Sequence, residues 1–167
     1  GEGKANQYFL RGFNLDHGTD LAITVDGMPV NMRTHGHGQG YADINFLIPE
    51  LIQSVNVWKG PYFADKGDFA SAGAISIDYL NKLPKNLAEL TFGSFGYRRA
   101  LAAGSTAVGQ GTLLAAFEDV RYDGPWDVPD HIRKLNGVLR YSQGTATDGF
   151  TLSAMAYSNG WNSTDQV

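Results

Sequence analysis

Ile48-Pro49-Glu50-Leu51-Ile52-Gln53-Ser54-Val55-Asn56-Val57-Trp58-Lys59-Gly60-Pro61 opens the stretch whose reading decides the fold, and it resumes after a short break with residues 67–79. Ile48, Leu51, Ile52 and Val55 stand at the spacing i, i+3, i+4, i+7. Pro49 sits at a first helical position, where a missing N–H costs nothing, so the spacing predicts one short helix. The period then changes. Val55 and Val57 alternate with Asn56 and Trp58 until Gly60-Pro61 ends the ladder, because proline has no donor to offer it. Ala74-Ile75-Ser76-Ile77-Asp78-Tyr79 alternates again, which predicts a second strand after a turn rich in glycine and aspartate.

Upstream, residues 7–13 read as a short extended segment carrying Arg11-Gly12. Leu21, Ile23 and Val25 alternate with Ala22 and Thr24, and Asp26-Gly27 is a strong two-residue hairpin signal. The predicted return strand is 28–32, marked as an edge by Pro29. Residues 33–46 hold Gly36, Gly38 and Gly40 among polar side chains and show no apolar period. They predict an exposed loop of the kind that often carries function.

The order Arg11-Gly12, Asp26-Gly27-Met28-Pro29, Pro49-Glu50-Leu51-Ile52, Val55-x-Val57-x-Lys59-Gly60-Pro61 and Ala72-Gly73-Ala74-Ile75-Ser76-Ile77 resembles the plug domain of TonB-dependent outer-membrane receptors. Each match alone is common, whereas the ordered series is specific. Gln53 and Asn56 stand where the family often has acidic residues, and Lys59 where it often has arginine. The resemblance is densest over residues 8–79. It implies a fold that is mostly β: a small mixed sheet with a short helix, belonging to the C-terminal part of a plug domain (1–82), then the first five or so strands of a large antiparallel transmembrane β-barrel (83–167).

Composition agrees with that class. Among 167 residues there are 21 glycines, eight tyrosines, three methionines and no cysteine. This favours short strands and tight turns, and rules out a disulfide framework and sulfur-based zinc sites. A net charge of −4 without a basic cluster argues against nucleic acid as a partner. No apolar run reaches the ~18 residues of a membrane helix, so a membrane would have to be met through strands.

Residues 87–93, 97–106, 112–122, 134–143 and 150–158 each predict a strand. Leu90 and Phe92, then Leu135, Leu139 and Tyr141, then Phe150, Leu152, Ala154 and Ala156 form faces suited to lipid. Glu89, Thr91, Asn136, Arg140, Thr151 and Ser153 take the opposite faces, which is the alternation of an outer-membrane wall. The strand at 112–122 does not sort: Leu113, Ala115 and Phe117 point one way, Leu114, Ala116 and Val120 the other. Five strands cannot close a membrane barrel, so the resemblance implies a segment of a longer chain.

What the resemblance implies for function is uptake across the outer membrane of a bacterial cell. An extracellular small molecule (siderophore, metal chelate, vitamin or saccharide) binds, and the plug rearranges when pulled by the TonB energy-transducing complex, engaged through a segment preceding residue 1. Outer-membrane lipids are the other partner. The expected ligand contacts are Asn14, His17, Arg33, His35, His37, Gln39, Tyr41, Asp43 and Asn45 on the plug loops, and Trp126 in the long connection 123–133. Arg11, Gly12, Asp26, Gly27, Gly60 and Pro61 are expected to form the structural plug motif.

His35-Gly36-His37 invites a metal, with His17 or Asp43 completing the set. Two imidazoles without a fixed third ligand more often make ordinary hydrogen bonds, so no metal or cofactor is assigned. No serine, histidine and carboxylate set stands in a catalytic context, and no enzyme is expected. The rival class is a soluble or surface β-rich binding module, adhesin-like or carbohydrate-binding. It accounts for the glycines and tyrosines but not for the ordered motifs.

Overall fold

Strand β3 (Leu21–Val25) is buried along almost its whole length, because it lies inside a four-stranded mixed sheet of order β4-β3-β6-β5. Its partners are β4 (Met28–Pro29) and β6 (Gly73–Tyr79), and β5 (Ile52–Lys59) adds an edge on β6. The β3–β6 pairing is parallel and runs from Leu21 opposite Gly73 to Val25 opposite Ile77, while the other two pairings are antiparallel. In the computed structural model the described residues are 6–15, 17–35, 40–145 and 147–163.

The first unit, residues 1–80, is built on this sheet. Leu15, Leu21, Ile23 and Ala42 form its buried cluster, with Tyr8, Leu10, Val30, Ile44 and Ile75 packed against them. Val25, Ile48, Leu51, Ile77 and Tyr79 are buried as well. Each such side chain contributes roughly 1.5–3 kcal/mol on leaving water. The Tyr79 hydroxyl does not disturb this core, because it accepts the Ile48 N–H at 3.0 Å.

The expected helix shrinks to one 3₁₀ turn, Pro49–Leu51, with Pro49 in its first turn. Ile48 and Leu51 keep the i, i+3 relation and are fully buried. Ile52 and Val55 leave it, and Val55 is exposed on β5. Branched side chains at Ile52, Val55 and Val57 prefer a pleated surface, and β6 supplies one. A register shift between Ile52 and Ser54 marks the change of geometry.

Two further expectations are corrected. The segment around Arg11 is a hairpin, β1 (Phe9–Leu10) against β2 (Phe13–Asn14), reversed at Arg11 (φ 53°) and Gly12 (φ 83°). The return strand after Asp26-Gly27 is only Met28–Pro29, because Asn31 takes over the pairing with its side chain. Its Oδ1 accepts the Ile23 N–H at 2.6 Å, and its amide donates to the carbonyls of Gly18 and Leu21 at 2.7 and 2.8 Å. Pro29 lies on the edge strand, where a missing donor is harmless.

The second unit, residues 81–167, carries five antiparallel strands in sequence order. They are β7 (Leu87–Phe92), β8 (Arg98–Val108), β9 (Gly111–Tyr122), β10 (Ile132–Gly144) and β11 (Gly149–Gly160). Their registers align outward side chains into rows across the sheet. One row is Phe92, Arg98, Arg121, Arg133 and Gly160, and the next is Leu90, Ala100, Asp119, Leu135 and Ser158. Below them come Ala88, Ala102, Phe117, Gly137 and Ala156, then Gly104, Ala115, Leu139 and Ala154. Thr106, Leu113, Tyr141 and Leu152 follow, and the last row is Val108, Gly111, Gln143 and Phe150.

This face exposes Leu90, Phe92, Phe117, Leu135, Leu139, Phe150 and Leu152. The opposite face buries Leu101, Ala103, Leu114, Ala116 and Val138 together with Glu118, Asn136 and Arg140. The strand that did not sort is thereby resolved. Leu114 and Ala116 share a face with Glu118, and Leu113, Ala115 and Phe117 belong to the exposed apolar face.

Candidate functional site

A loop is pinched off the first unit where Met32 and Tyr41 exchange backbone hydrogen bonds of 2.8 and 2.9 Å. Beyond the pinch the chain turns inward. Gly40 is buried and Ala42 is only 2% exposed, so the expectation of an exposed loop over 33–46 fails for its second half. The reason is a close crossing with residues 17–19. A Cβ on Gly18 would stand 2.6 Å from the Ala42 nitrogen, and one on Gly40 would stand 2.6 Å from the His17 carbonyl oxygen. Two glycines at the crossing let two backbones touch.

The crossing gathers a group of aromatic and polar side chains. His35 meets the Tyr41 ring edge to face at 4.7 Å. The Tyr41 hydroxyl donates to Asp43 Oδ2 at 3.4 Å, while Asp43 Oδ1 accepts the Asn45 N–H at 2.8 Å. Burial raises the Tyr41 pKa above its usual value, and the neighbouring Asp43 charge adds to the rise. Tyr8 is pushed up further for the same two reasons. Its enclosed hydroxyl has no hydrogen-bond partner among the described residues, which leaves a donor facing this group.

The remaining expected contacts are placed as follows. Asn14 pairs with Phe9 in the first hairpin, and His17 passes under Gly40 with its side chain half-buried. Arg33 lies in solvent and meets Asp68 at 3.4 Å. His37 and Gln39 fall outside the described residues. Trp126 belongs to the second unit, where its indole N–H donates to Asp130 at 3.2 Å. Among the described residues no three His, Asp or Glu side chains are grouped to hold a metal ion.

The motif residues form turns. Asp26 (φ 50°) and Gly27 (φ 77°) make the hairpin, and the Asp26 carboxylate accepts the Tyr79 N–H at 3.0 Å, tying that turn to the end of β6. Gly60 (φ 86°) ends β5 and donates to the Ala72 carbonyl at 2.8 Å, with Pro61 following. Lys66 then returns over the Trp58 ring at 3.8 Å.

Sequence reasoning missed Tyr8 and Asn6 as members of the group around Asp43. Asn6 Oδ1 accepts the Ile44 N–H at 3.0 Å, a contact made across 38 residues that no local period can announce. It also missed a charged cluster on the occluded face of the second unit, where Glu118 meets Arg99, Lys134 and Asn136. That cluster had a signal, since Arg99, Glu118, Lys134 and Asn136 all fall on one face once the strand register is known.

Residues 1–74 match the family model described as TonB-dependent Receptor Plug Domain.

Proposed function

We propose, from the match of residues 1–74 to the plug domain of TonB-dependent receptors, that the chain carries the plug and the first wall strands of a receptor that takes up a scarce extracellular nutrient across the outer membrane. The nutrient is a siderophore, metal chelate, vitamin or saccharide. Uptake proceeds by energised rearrangement of the plug, with the TonB complex as the energy source. No covalent chemistry is part of this reading, and the family is one of receptors and transporters.

The observation that carries the membrane half of the proposal is the sorted face of β7 to β11. Ten residue steps separate Arg133 from Gln143 on β10, about 34 Å at ~3.4 Å per residue. A strand tilt of about 40° brings this to about 26 Å, against an apolar band of ~25 Å on outer-membrane barrels. Between those two rows the exposed face is dominated by leucine and alanine, with Phe117 among them and Asp119 near one margin. Leu90, Phe117, Leu135, Leu139 and Leu152 are each at least 40% exposed on that one face, and contiguous apolar surface of this kind marks a contact surface and not a face kept in water.

The ligand half rests on the group around Asp43. A carboxylate, an imidazole and two phenols, one of them with an unsatisfied hydroxyl, gathered at a glycine crossing offer donors, acceptors and ring faces to a small polar ligand. The contacts proposed are His35, Tyr41, Asp43, Asn45 and Tyr8; His17, Arg33, His37, Gln39 and Asn14 are kept as further candidates on the strength of the sequence.

The test is the native protein in an outer-membrane extract, run on a gel with and without boiling, together with uptake in cells with and without a working TonB complex. The proposal expects a heat-dependent mobility shift and uptake that stops without TonB. A protein that stays in the soluble fraction and shows no shift would overturn it in favour of a β-rich binding module.

A further inference from the structure

Three arginines stand side by side on the exposed face of the second unit. Arg98 on β8 is in register with Arg121 on β9, which is in register with Arg133 on β10. Like charges on directly opposed strand positions repel. Arg121 is relieved by Asp119 at 3.2 Å, and His131 takes Asp123 at 2.8 Å, whereas Arg98 and Arg133 meet no carboxylate among the described residues. The row lines a cleft of about 560 Å³ with Phe92, Tyr97, His131 and Asp123, the last two paired with each other. Such a row is stabilised by an anion, and guanidinium groups match phosphate oxygens in forked pairs.

The surroundings say which anion. Directly below the row, on the same face and in the same register, stand Leu90, Ala100, Asp119 and Leu135, with the Asp119 carboxylate turned to Arg121, and below these come Ala102, Phe117 and, one row further, Leu139. A ligand whose head is held by the arginines therefore has an apolar wall beneath it for as many rows as an acyl chain is long. We propose that Arg98, Arg121 and Arg133 form a binding site for the phosphate headgroup of a membrane lipid, with the lipid's chains lying against the Leu90, Phe117 and Leu139 face. The site fixes the depth of the wall in the bilayer, because Asp119 reaches up to Arg121 and leaves the rows below it free of charge. The proposal rests on the reading of β7 to β11 as membrane-spanning.

The experiment uses the full-length receptor in a neutral detergent and measures bound lipid by native mass spectrometry. The probes are dioleoyl phosphatidic acid, dioleoylglycerol, which has the same chains without the phosphate, and inorganic phosphate. Wild type is expected to hold phosphatidic acid about tenfold more tightly than Arg98→Ala/Arg121→Ala/Arg133→Ala, the loss expected for removing charge-assisted hydrogen bonds. It is also expected to hold dioleoylglycerol no better than that variant does. Arg98→Lys/Arg133→Lys should recover part of the binding. The single variants Arg98→Ala and Arg133→Ala, both at exposed positions, test the same point should the triple variant fail to fold.

Equal retention of phosphatidic acid by wild type and variants would overturn the proposal, as would equal affinity for dioleoylglycerol. Displacement of the lipid by inorganic phosphate at matched concentration would overturn the lipid assignment. Each receptor is also run with and without boiling. Lack of a mobility shift in the wild type would overturn the membrane-spanning reading itself, whereas a normal shift with unselective lipid binding would overturn only the headgroup site.

Discussion

Arg99 on β8 and Glu118 on β9 face each other across the occluded side of the second sheet, the guanidinium donating to one carboxylate oxygen at 2.6 and 2.7 Å. The other oxygen takes Lys134 at 3.1 Å and Asn136 at 2.9 Å. Glu118 is thus the common acceptor for two cations and an amide on two neighbouring strands. Its side chain is 2% exposed and that of Arg99 12%, so water does not replace the pair. Glu118→Ala would take the shared anion from Arg99 and Lys134 and leave Arg99 with the more distant Glu89 at 3.6 Å, so the cost should approach, from below, the roughly 3–5 kcal/mol of breaking a buried pair outright. The expected outcome is a lowered urea midpoint and a lowered temperature for loss of the unboiled gel form. Glu118→Gln keeps the shape and an acceptor oxygen and should cost less. A stability equal to wild type in Glu118→Ala would refute the role given to this carboxylate.

Gly60 ends β5 with φ at +86°, a region that costs a residue with a Cβ about 1–2 kcal/mol. A Cβ there would also stand 2.6 Å from the Tyr62 ring. That ring can swing aside, so backbone strain outweighs the clash. Gly60→Val is therefore expected to lower the abundance of the protein in outer-membrane extracts and its thermal midpoint. Gly60→Asn, which tolerates this backbone region better, should lower them less.

How far the fold was legible varies with the length of the element. Strands β8 to β11 run for 11 to 13 residues, long enough for a period of two to declare itself, and their bounds lie close to the expected ones. Leu114 and Ala116 misled only because an apolar pair lies on both faces of β9, and Glu118 beside them gives the occluded face away. The hairpin at Arg11-Gly12 looks in sequence like one extended piece because its strands have two residues each, too few for any period. Ile48, Leu51, Ile52 and Val55 fit a helical wheel, yet only the first two use it. The partner that draws Ile52 and Val55 into a sheet lies on β6, more than 20 residues on. At the candidate site the loop was visible from its glycines and polar side chains. What was not visible is that Gly18 and Gly40 bring two loops together, since a close approach is a property of two segments and sequence presents them one at a time.

That crossing makes its own prediction. Gly18 has φ at +63°, and its missing Cβ would stand 2.6 Å from the Ala42 nitrogen, a backbone atom with nowhere to move. Gly18→Ala should cost of order 1–3 kcal/mol and separate residues 17–19 from 40–42. The group around Asp43 would then lose its support. Faster amide exchange at Ala42 and weaker uptake are the expected results, and unchanged exchange would mean the loops cross without depending on one another.

Tyr8 and Tyr41 give the first unit an alkaline limit. Both phenols are harder to ionise in the folded protein than at their usual 10.0, chiefly through burial and then through Asp43. The unfolded chain therefore releases these protons first as pH rises. The stability these two phenols contribute is fully present below pH 10 and is lost as pH climbs through the raised folded values. In an absorbance titration of tyrosinate, two phenols should titrate late. Tyr8→Phe should remove one of them and flatten the fall in stability above pH 10. A late component of unchanged size in that variant would move the assignment elsewhere.

His35 offers the direct test of the ligand reading. Its ring packs at right angles to Tyr41, whose hydroxyl meets Asp43, so the imidazole, the phenol and the carboxylate stand side by side. Replacing His35 and His37 together by alanine removes both imidazoles of the loop while leaving the Met32–Tyr41 pinch, which is made of backbone alone. The receptor should therefore reach the membrane in normal amount and show its usual boiling shift. Uptake at limiting nutrient should fall several-fold, in keeping with the roughly 0.5–1.5 kcal/mol that a hydrogen bond contributes net. Supplying excess nutrient should restore it, because what has been lost is affinity and not the wall or the energised step. Unchanged uptake at limiting nutrient would move the binding site off this loop and leave the Asp43 group a structural support for the glycine crossing.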